Sequence, residues 1–118
     1  MIVIEIKKDV GRIQLLLKGE SAGTDLFFVL SGGREHIGAV AMGIYDRESH
    51  RASASVISSP GHREDEIALR AARKISAVTQ STIVIMVGIH VDNITVDEIR
   101  EILKASEAMI DELIENLR

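Results

Sequence analysis

The stretch TIVIMVGIH, residues 82–90, is the most apolar part of the chain. It is short and rich in β-branched side chains, which is typical of the central strand of a sheet. We therefore predict a central strand over residues 82–89. His90 then lies at the C-terminal end of this strand. Its imidazole can bind a metal or exchange a proton near neutral pH.

The residues before this segment have the composition of strands separated by turns. Gly11 can adopt the positive φ of a tight turn, so Asp9-Val10-Gly11 is predicted to join the first two strands as a hairpin. The run from Asp25 to Leu30 is apolar, which favours a strand buried on both faces and ended by Ser31-Gly32-Gly33. The predicted strands cover residues 2–6, 11–18, 25–30, 37–45 and 52–57.

Two segments repeat apolar residues every three or four positions, which is the period of an amphipathic helix. The first is predicted over residues 63–78, where alanines form a narrow face that can lie close to a sheet. Ser59 as N-cap and Pro60 as the first helical residue would start this helix, which places His62 in its first turn. The second helix follows the capping-box pattern Thr95-Val96-Asp97-Glu98 and continues to Leu117.

These elements predict a single domain over residues 1–118 with an α+β, two-layer architecture. We expect a mostly antiparallel sheet of about six strands with both helices on one face. The opposite face of the sheet is then left without a covering layer. A second copy of the chain would cover it, so we expect a homodimer.

Composition excludes several kinds of partner. The net charge is -4, acidic and basic residues are interspersed, and aromatic residues make up 3% of the chain, so nucleic acid is not an expected partner. The chain has no cysteine, which excludes disulfides and thiolate metal sites. No apolar run is long enough to cross a bilayer, and the first residues do not form a signal-peptide core. We expect a cytoplasmic protein with no membrane partner.

Three of the four histidines lie within two residues of a glycine: His36, His62 and His90. A single histidine beside a glycine is more often a loop residue that bonds the backbone than a ligand. Three of them at the ends of elements are displayed where functional residues are usually found. Imidazoles from separate loops commonly hold a divalent metal or an anionic ligand, whereas His50 lies in a charged turn and is expected on the surface.

The neighbouring residues also have two interpretations. Gly32, Gly33 and Arg34 could cradle a phosphate through backbone N–H groups and the guanidinium, and Arg63 could do the same at the start of the first helix. Plain turns with these residues are equally common. Asp92 could bond the local backbone or orient the His90 imidazole.

Three motifs together give the sequence a family resemblance. They are Gly32-Gly33-x-x-His36-Ile37-Gly38-x-Val40, His62-Arg63-Glu64 leading into a helix with Arg70-Ala71-Ala72-Arg73-Lys74-Ile75, and Gly88-Ile89-His90-Val91-Asp92-Asn93-Ile94-Thr95. In this order they resemble the small LpdD-like proteins that accompany UbiD-type aromatic-acid decarboxylases. The chain departs from the family pattern around His36, where Glu35 precedes the histidine and Gly38-Ala39-Val40 follow, and it has Asp92 in place of Asn.

The resemblance implies a chaperone that binds prenylated FMN or FMN, supplies it to a UbiD-type decarboxylase and has no catalytic residues of its own. Combined with the residues above, it gives one hypothesis. His36, His62 and His90 would hold a divalent metal of the Zn or Mn type, and the metal with Arg34 and Arg63 would bind the flavin phosphate.

Two alternatives stay open at this stage. A three-histidine metal with an open position could activate water, with Glu64 or Asp92 as base, in a small metal-dependent hydrolase. A non-catalytic structural subunit could instead dock on a larger partner through the uncovered sheet face, with the histidines satisfied by hydrogen bonds.

Overall fold

The computed structural model describes residues 3–60 and 64–118 and shows the expected α+β architecture, a six-stranded sheet with two helices. The mostly antiparallel pairing of the strands confirms the predicted fold class. The elements are β1 (Val3–Val10), β2 (Ile13–Ala22), β3 (Asp25–Gly33), β4 (Ala39–Asp46), β5 (Arg51–Ser58), α1 (Glu64–Thr79), β6 (Ile83–His90) and α2 (Val96–Leu117).

The strand order in the sheet is β1-β2-β3-β6-β4-β5. Strand β6 is inserted between β3 and β4, so the apolar segment 82–90 does form an internal strand as predicted. It runs parallel to β3 and antiparallel to β4, while every other pairing is antiparallel in the described part of the sheet. This insertion brings the ends of two strands that are distant in sequence side by side.

Both helices lie on the same face of the sheet. Helix α1 contacts β4, β5 and β6, whereas α2 contacts β1 and α1. The alanine face of α1 is buried at Ala68, Ala71 and Ala72, because small side chains let the helix approach the strands closely. The core under the helices contains fully buried side chains from three strands and both helices: Leu15, Leu17, Leu30, Ile83, Ile85, Val87, Ile75 and Leu113.

The boundaries of several elements differ from the sequence-based expectation. The first hairpin turns at Gly11 and Arg12, with Gly11 at a φ of 59°, so β1 runs through Asp9 and Val10, which were expected in the turn. Strand β3 continues to Gly33 because its last residues pair with both β2 and β6. The expected start of α1 at Ser59 and Pro60 is also wrong, because Pro60 lies in a turn and not in the helix, while the Ser59 hydroxyl donates to the carbonyl oxygen of Ile37, 22 positions away. Residues 61–63 lie outside the described residues, and the described helix begins at Glu64.

The other face of the sheet carries a broad set of exposed apolar side chains. The pairing registers place alternate residues of β3, β6, β4 and β5 on this face, and the most exposed of them is Ile57 at 82%. The run Asp25–Leu30 was therefore wrongly expected to be buried on both faces, because Phe28 is buried whereas Phe27 is exposed. We call this surface the open face: Phe27, Val40, Met42, Ile44 and Ile57.

Neither α1 nor α2 is both long enough and apolar enough to span a lipid bilayer, within the residues that the structure describes.

Candidate functional site

The candidate site lies where the parallel strands β3 and β6 end next to each other. In their register Gly33 is opposite His90, so the chain leaves the sheet from both strands at the same edge. Residues 34–38 then lead to β4, and residues 91–95 lead to α2. Because parallel strands place their carboxyl ends together, this edge collects side chains from two separate motifs.

Segment 34–38 crosses directly over β6 at Gly88. A Cβ on Gly88 would lie 1.6 Å from the carbonyl oxygen of His36, so no other residue fits under the segment without displacing it. The Gly38 N–H donates to Val87 O at 3.1 Å, and Ser59 N–H donates to Gly38 O at 2.8 Å, which fixes the far end of the segment. Gly88 therefore determines how closely His36 approaches the end of β6.

Gly33 permits the second close approach. Its φ is 65°, and a Cβ at this position would lie 2.1 Å from the His90 carbonyl oxygen. The Arg34 N–H donates to that same oxygen at 2.9 Å. Since Gly32 pairs in β3 with both neighbouring strands, the stretch 31–33 is not the open phosphate-binding turn considered above.

His36 is held by a buried carboxylate. Its Nε2 lies 3.3 Å from Oε1 of Glu64, the first residue of α1, and that oxygen also accepts from the Ile89 N–H at 3.4 Å. Glu64 is only 7% exposed, which is unusual for a carboxylate and requires a compensating partner. Its position in the first turn of α1 also suits the helix N-terminus, where a negative charge is favourable. The structure shows that it also supports the candidate site.

His90 has a carboxylate partner of its own. Its Nε2 lies 3.1 Å from Oδ1 of Asp92, and the other oxygen of Asp92 accepts from Arg34 at 3.2 Å. The His36 and His90 rings are 5.8 Å apart and nearly perpendicular, at 87°. Two imidazole–carboxylate pairs and one guanidinium thus meet at this edge, with Arg34, His90 and Asp92 open to solvent.

A further residue, Arg12, was not found by the sequence analysis. From the turn between β1 and β2 it donates to Asp92 O at 2.8 Å and to both carboxylate oxygens of Glu98 at 2.8 and 3.2 Å. The hydrogen bonds that Glu98 accepts from Arg12, together with one from the Thr95 N–H, lower the pKa of Glu98 to about 2. Arg12 and Glu98 therefore anchor the turn that carries Asp92 to the first turn of α2.

Of the predicted site residues, the structure brings Gly32, Gly33, Arg34, His36, His90 and Asp92 to one edge of the sheet. His62 and Arg63 lie outside the described residues. Among residues 3–60 and 64–118, no group of three or more His, Asp or Glu is arranged to hold a metal ion. His36 and His90 instead each face a carboxylate, so the described residues alone do not form the expected three-histidine centre.

Comparison with known proteins adds a family and a fold. The sequence model of a family described as the prenylated flavin chaperone LpdD-like domain matches residues 9–118. Comparison with curated protein sequences gave no match. Among solved structures, the fold is similar to a chain in the crystal structure of a novel chaperone complex for yeast 20S proteasome assembly, with a TM-score of 0.63, 14% identity and full coverage of both chains. At that identity the likeness shows the fold alone.

Proposed function

The chain belongs to the LpdD-like prenylated flavin chaperone family, and we propose that it is a non-catalytic accessory protein that binds prenylated FMN and supplies it to a UbiD-type aromatic-acid decarboxylase. The observation that carries this proposal is the position of the His36, His90 and Arg34 cluster beside the open face. A flavin mononucleotide needs both environments, because its phosphate is anionic and its ring system is largely apolar.

The polar end of the site suits the phosphate. Arg34 is 71% exposed and pairs with Asp92, and such an exposed pair is worth little, about 0–1 kcal/mol, so the guanidinium can turn to a phosphate at small cost. A guanidinium and two imidazoles are donors of the kind that recognise phosphate. Asp92 would act through His90, whose ring it orients, and not on the phosphate itself. Gly32 and Gly33 shape the strand end that carries Arg34.

The apolar end suits the isoalloxazine. Met86 and Val84 of β6 are on the same side of the sheet as the open face. Met86 lies beside Val40 of β4, and Val84 lies beside Met42. Apolar side chains at alternate positions give a flat surface on which an aromatic ring system can lie.

A divalent metal remains a separate proposal. It requires His62 together with His36 and His90. Of these three, the described residues include His36 and His90, and each of them lies beside a carboxylate. Three imidazoles with an open position would suit a Zn or Mn-type ion, and a bound metal would add a positive charge near the phosphate. Phosphate binding by Arg34 and the two described histidines does not depend on it.

We also propose that a second copy covers the open face. Exposed apolar surfaces of this breadth are uncommon on monomers and mark interaction surfaces. Ile44→Lys, which places a charge on the open face, should convert a dimer to a monomer in light scattering. Val78→Lys on α1 is the matched control, since Val78 is 36% exposed on the helical side. A wild-type monomer, or equal dissociation of both variants, would contradict the dimer.

Native mass spectrometry tests flavin binding directly. The protein is purified from cells that also express a flavin prenyltransferase and is sprayed with and without a chelator. We expect wild-type protein and His50→Ala to carry prenylated FMN, and His90→Ala and Arg34→Ala to lose it, because His50 lies in a distant turn and contacts Tyr45. Full flavin occupancy in His90→Ala would contradict the site.

The measurement with chelator tests the metal proposal alone. Loss of one metal ion together with the flavin would support the three-histidine centre. Flavin that stays bound when no metal is present would show that the protein side chains bind it without a metal. Turnover of phosphoesters by a flavin-free, metal-loaded chain would favour the hydrolase instead. Transfer is measured by adding the flavin-loaded protein to a cofactor-free UbiD-type decarboxylase and following the recovery of decarboxylation.

A further inference from the structure

A groove of about 710 Å³ lies between α1 and α2, on the opposite side of the molecule from the open face. Its walls are formed by one side of each helix, and it is separate from the cluster of His36 and His90. The volume falls within the range of about 300–1,000 Å³ that is usual for binding sites. The proposed flavin site does not use it.

The floor of the groove is apolar and contains one buried hydroxyl. Ala71 and Ile110 are buried, and Leu103 at the rim is 42% exposed. Ser106 is fully buried, and its Oγ has no hydrogen-bond partner among the described residues. Apart from this hydroxyl, the floor offers apolar surface.

The rim of the groove is basic although the chain is acidic. Its lining contains four basic and two acidic side chains, whereas the whole chain has a net charge of -4. No carboxylate of the described residues lies within 4.0 Å of Arg73 or Lys104. The charged lining residues are Arg70, Arg73, Lys74, Lys104, Glu66 and Glu107.

Two ion pairs connect the helices beside the groove. Arg70 lies 3.3 Å from Glu107, and Lys74 pairs with Asp111, with more than half of each side chain exposed. Exposed pairs of this kind contribute little and are readily exchanged for other partners. They therefore leave the rim available to a ligand with negative charge.

We propose that this groove binds an acidic amphipathic helix of a partner protein. A helix that inserts an apolar stripe between two helices and keeps its acidic residues outside would contact the apolar floor and the basic rim together. The expectation of a partner protein rests on the proposed chaperone function, but the choice of the groove rests on its own lining. A second copy of the chain is an alternative occupant that the experiment separates.

The probe is a designed helical peptide with leucines on one face and glutamates on the other, titrated into isotope-labelled protein and followed by NMR. We expect the amide signals of Ala71, Leu103, Ser106 and Ile110 to shift in a saturable manner. A peptide with lysine in place of each glutamate should bind at least about tenfold more weakly, because it meets like charges at the rim.

Charge reversal gives the matched comparison. Arg73→Glu with Lys104→Glu should weaken binding of the acidic peptide about tenfold. Lys7→Glu with Lys18→Glu makes the same change in net charge on the strands β1 and β2 and should leave binding unchanged. All four side chains are exposed, so the variants are expected to fold.

Several results would overturn the proposal: equal binding of the acidic and basic peptides, shifts confined to the open face, or unchanged affinity in the variant with Arg73 and Lys104 reversed. If self-association without peptide shifts the same four amide signals, the groove binds a second copy of the chain, and the proposal is also overturned. None of these results depends on flavin occupancy, so failure of this proposal is distinct from failure of the flavin site.

Discussion

Replacement of Gly88 with Ala should uncouple His36 from the rest of the site while leaving the fold intact. The added Cβ would lie 1.6 Å from the His36 carbonyl oxygen and 2.7 Å from its carbonyl carbon. Ordinary contact begins near 3.4 Å, so the His36 carbonyl must move away by about 1.8 Å. Both atoms of the clash belong to backbone, and a side-chain rotation cannot relieve it.

Two consequences of this displacement can be measured. Overpacking of this kind costs about 1–3 kcal/mol of unfolding free energy, which urea unfolding can detect. Groups that are misplaced by about 1 Å commonly lose much of their effect, so we expect flavin affinity to fall by at least about tenfold. Flavin fluorescence titration of the folded variant measures the second effect separately from the first.

Gly43→Ala is the matched control for Gly88→Ala. A Cβ on Gly43 would lie 2.3 Å from the Ala72 carbonyl oxygen of α1, on the helical face of the sheet and away from the site. Both variants should be destabilised, but only Gly88→Ala should lose flavin affinity. Equal flavin affinity in the two variants, or a Gly88→Ala protein as stable as wild type, would refute the reasoning.

Two further predictions concern stability. Because pairing with Arg12 lowers the pKa of Glu98 from 4.5 to about 2, the ionised carboxylate stabilises the fold above pH 4.5 and loses this contribution as the pH falls towards 2. The difference in urea midpoint between wild type and Glu98→Gln should therefore be constant above pH 5 and shrink below it; a difference unchanged at pH 2 would contradict the assignment. Phe28→Ala should cost about 3–5 kcal/mol of unfolding free energy in urea, since Phe28 is 2% exposed and its ring lies over Gly19. Phe27→Ala on the open face should lower the stability of the monomer much less, and equal losses in the two variants would show that the open face is as well packed as the core.

The sequence predicted helices and strands well where they depend on interactions between residues that are close in the chain. The capping box at Thr95 and Glu98 is present in the structure with both of its hydrogen bonds, because it depends on contacts three residues apart. The segment 82–90 formed an internal strand because β-branched residues favour the strand conformation and its alternate residues Ile83, Ile85 and Val87 are fully buried. The second helix followed from the same kind of local repeat.

The errors arose where a distant residue competes for the same group. Ser59 was expected to cap α1, but its hydroxyl donates to the carbonyl oxygen of Ile37, 22 positions earlier in the chain. Phe27 was expected in the core, since its neighbours are apolar, yet the open face has no second layer within the chain. Arg12 lies 86 positions from Glu98, and nothing in the local sequence links them.

The meeting of His36 and His90 follows from the topology of the sheet. In the described part of the sheet, β3 and β6 are the one parallel pair, and their register sets Gly33 opposite His90. An antiparallel pairing would place the residues after β3 at the opposite edge from His90. A register shift of one residue would turn His90 to the helical face, because side chains alternate along a strand. Glycines at 33 and 88 hold this register at the site by allowing backbone contacts that any side chain would prevent. The histidines therefore depend on the glycines of their motifs for position, which is why the motifs combine both residue types.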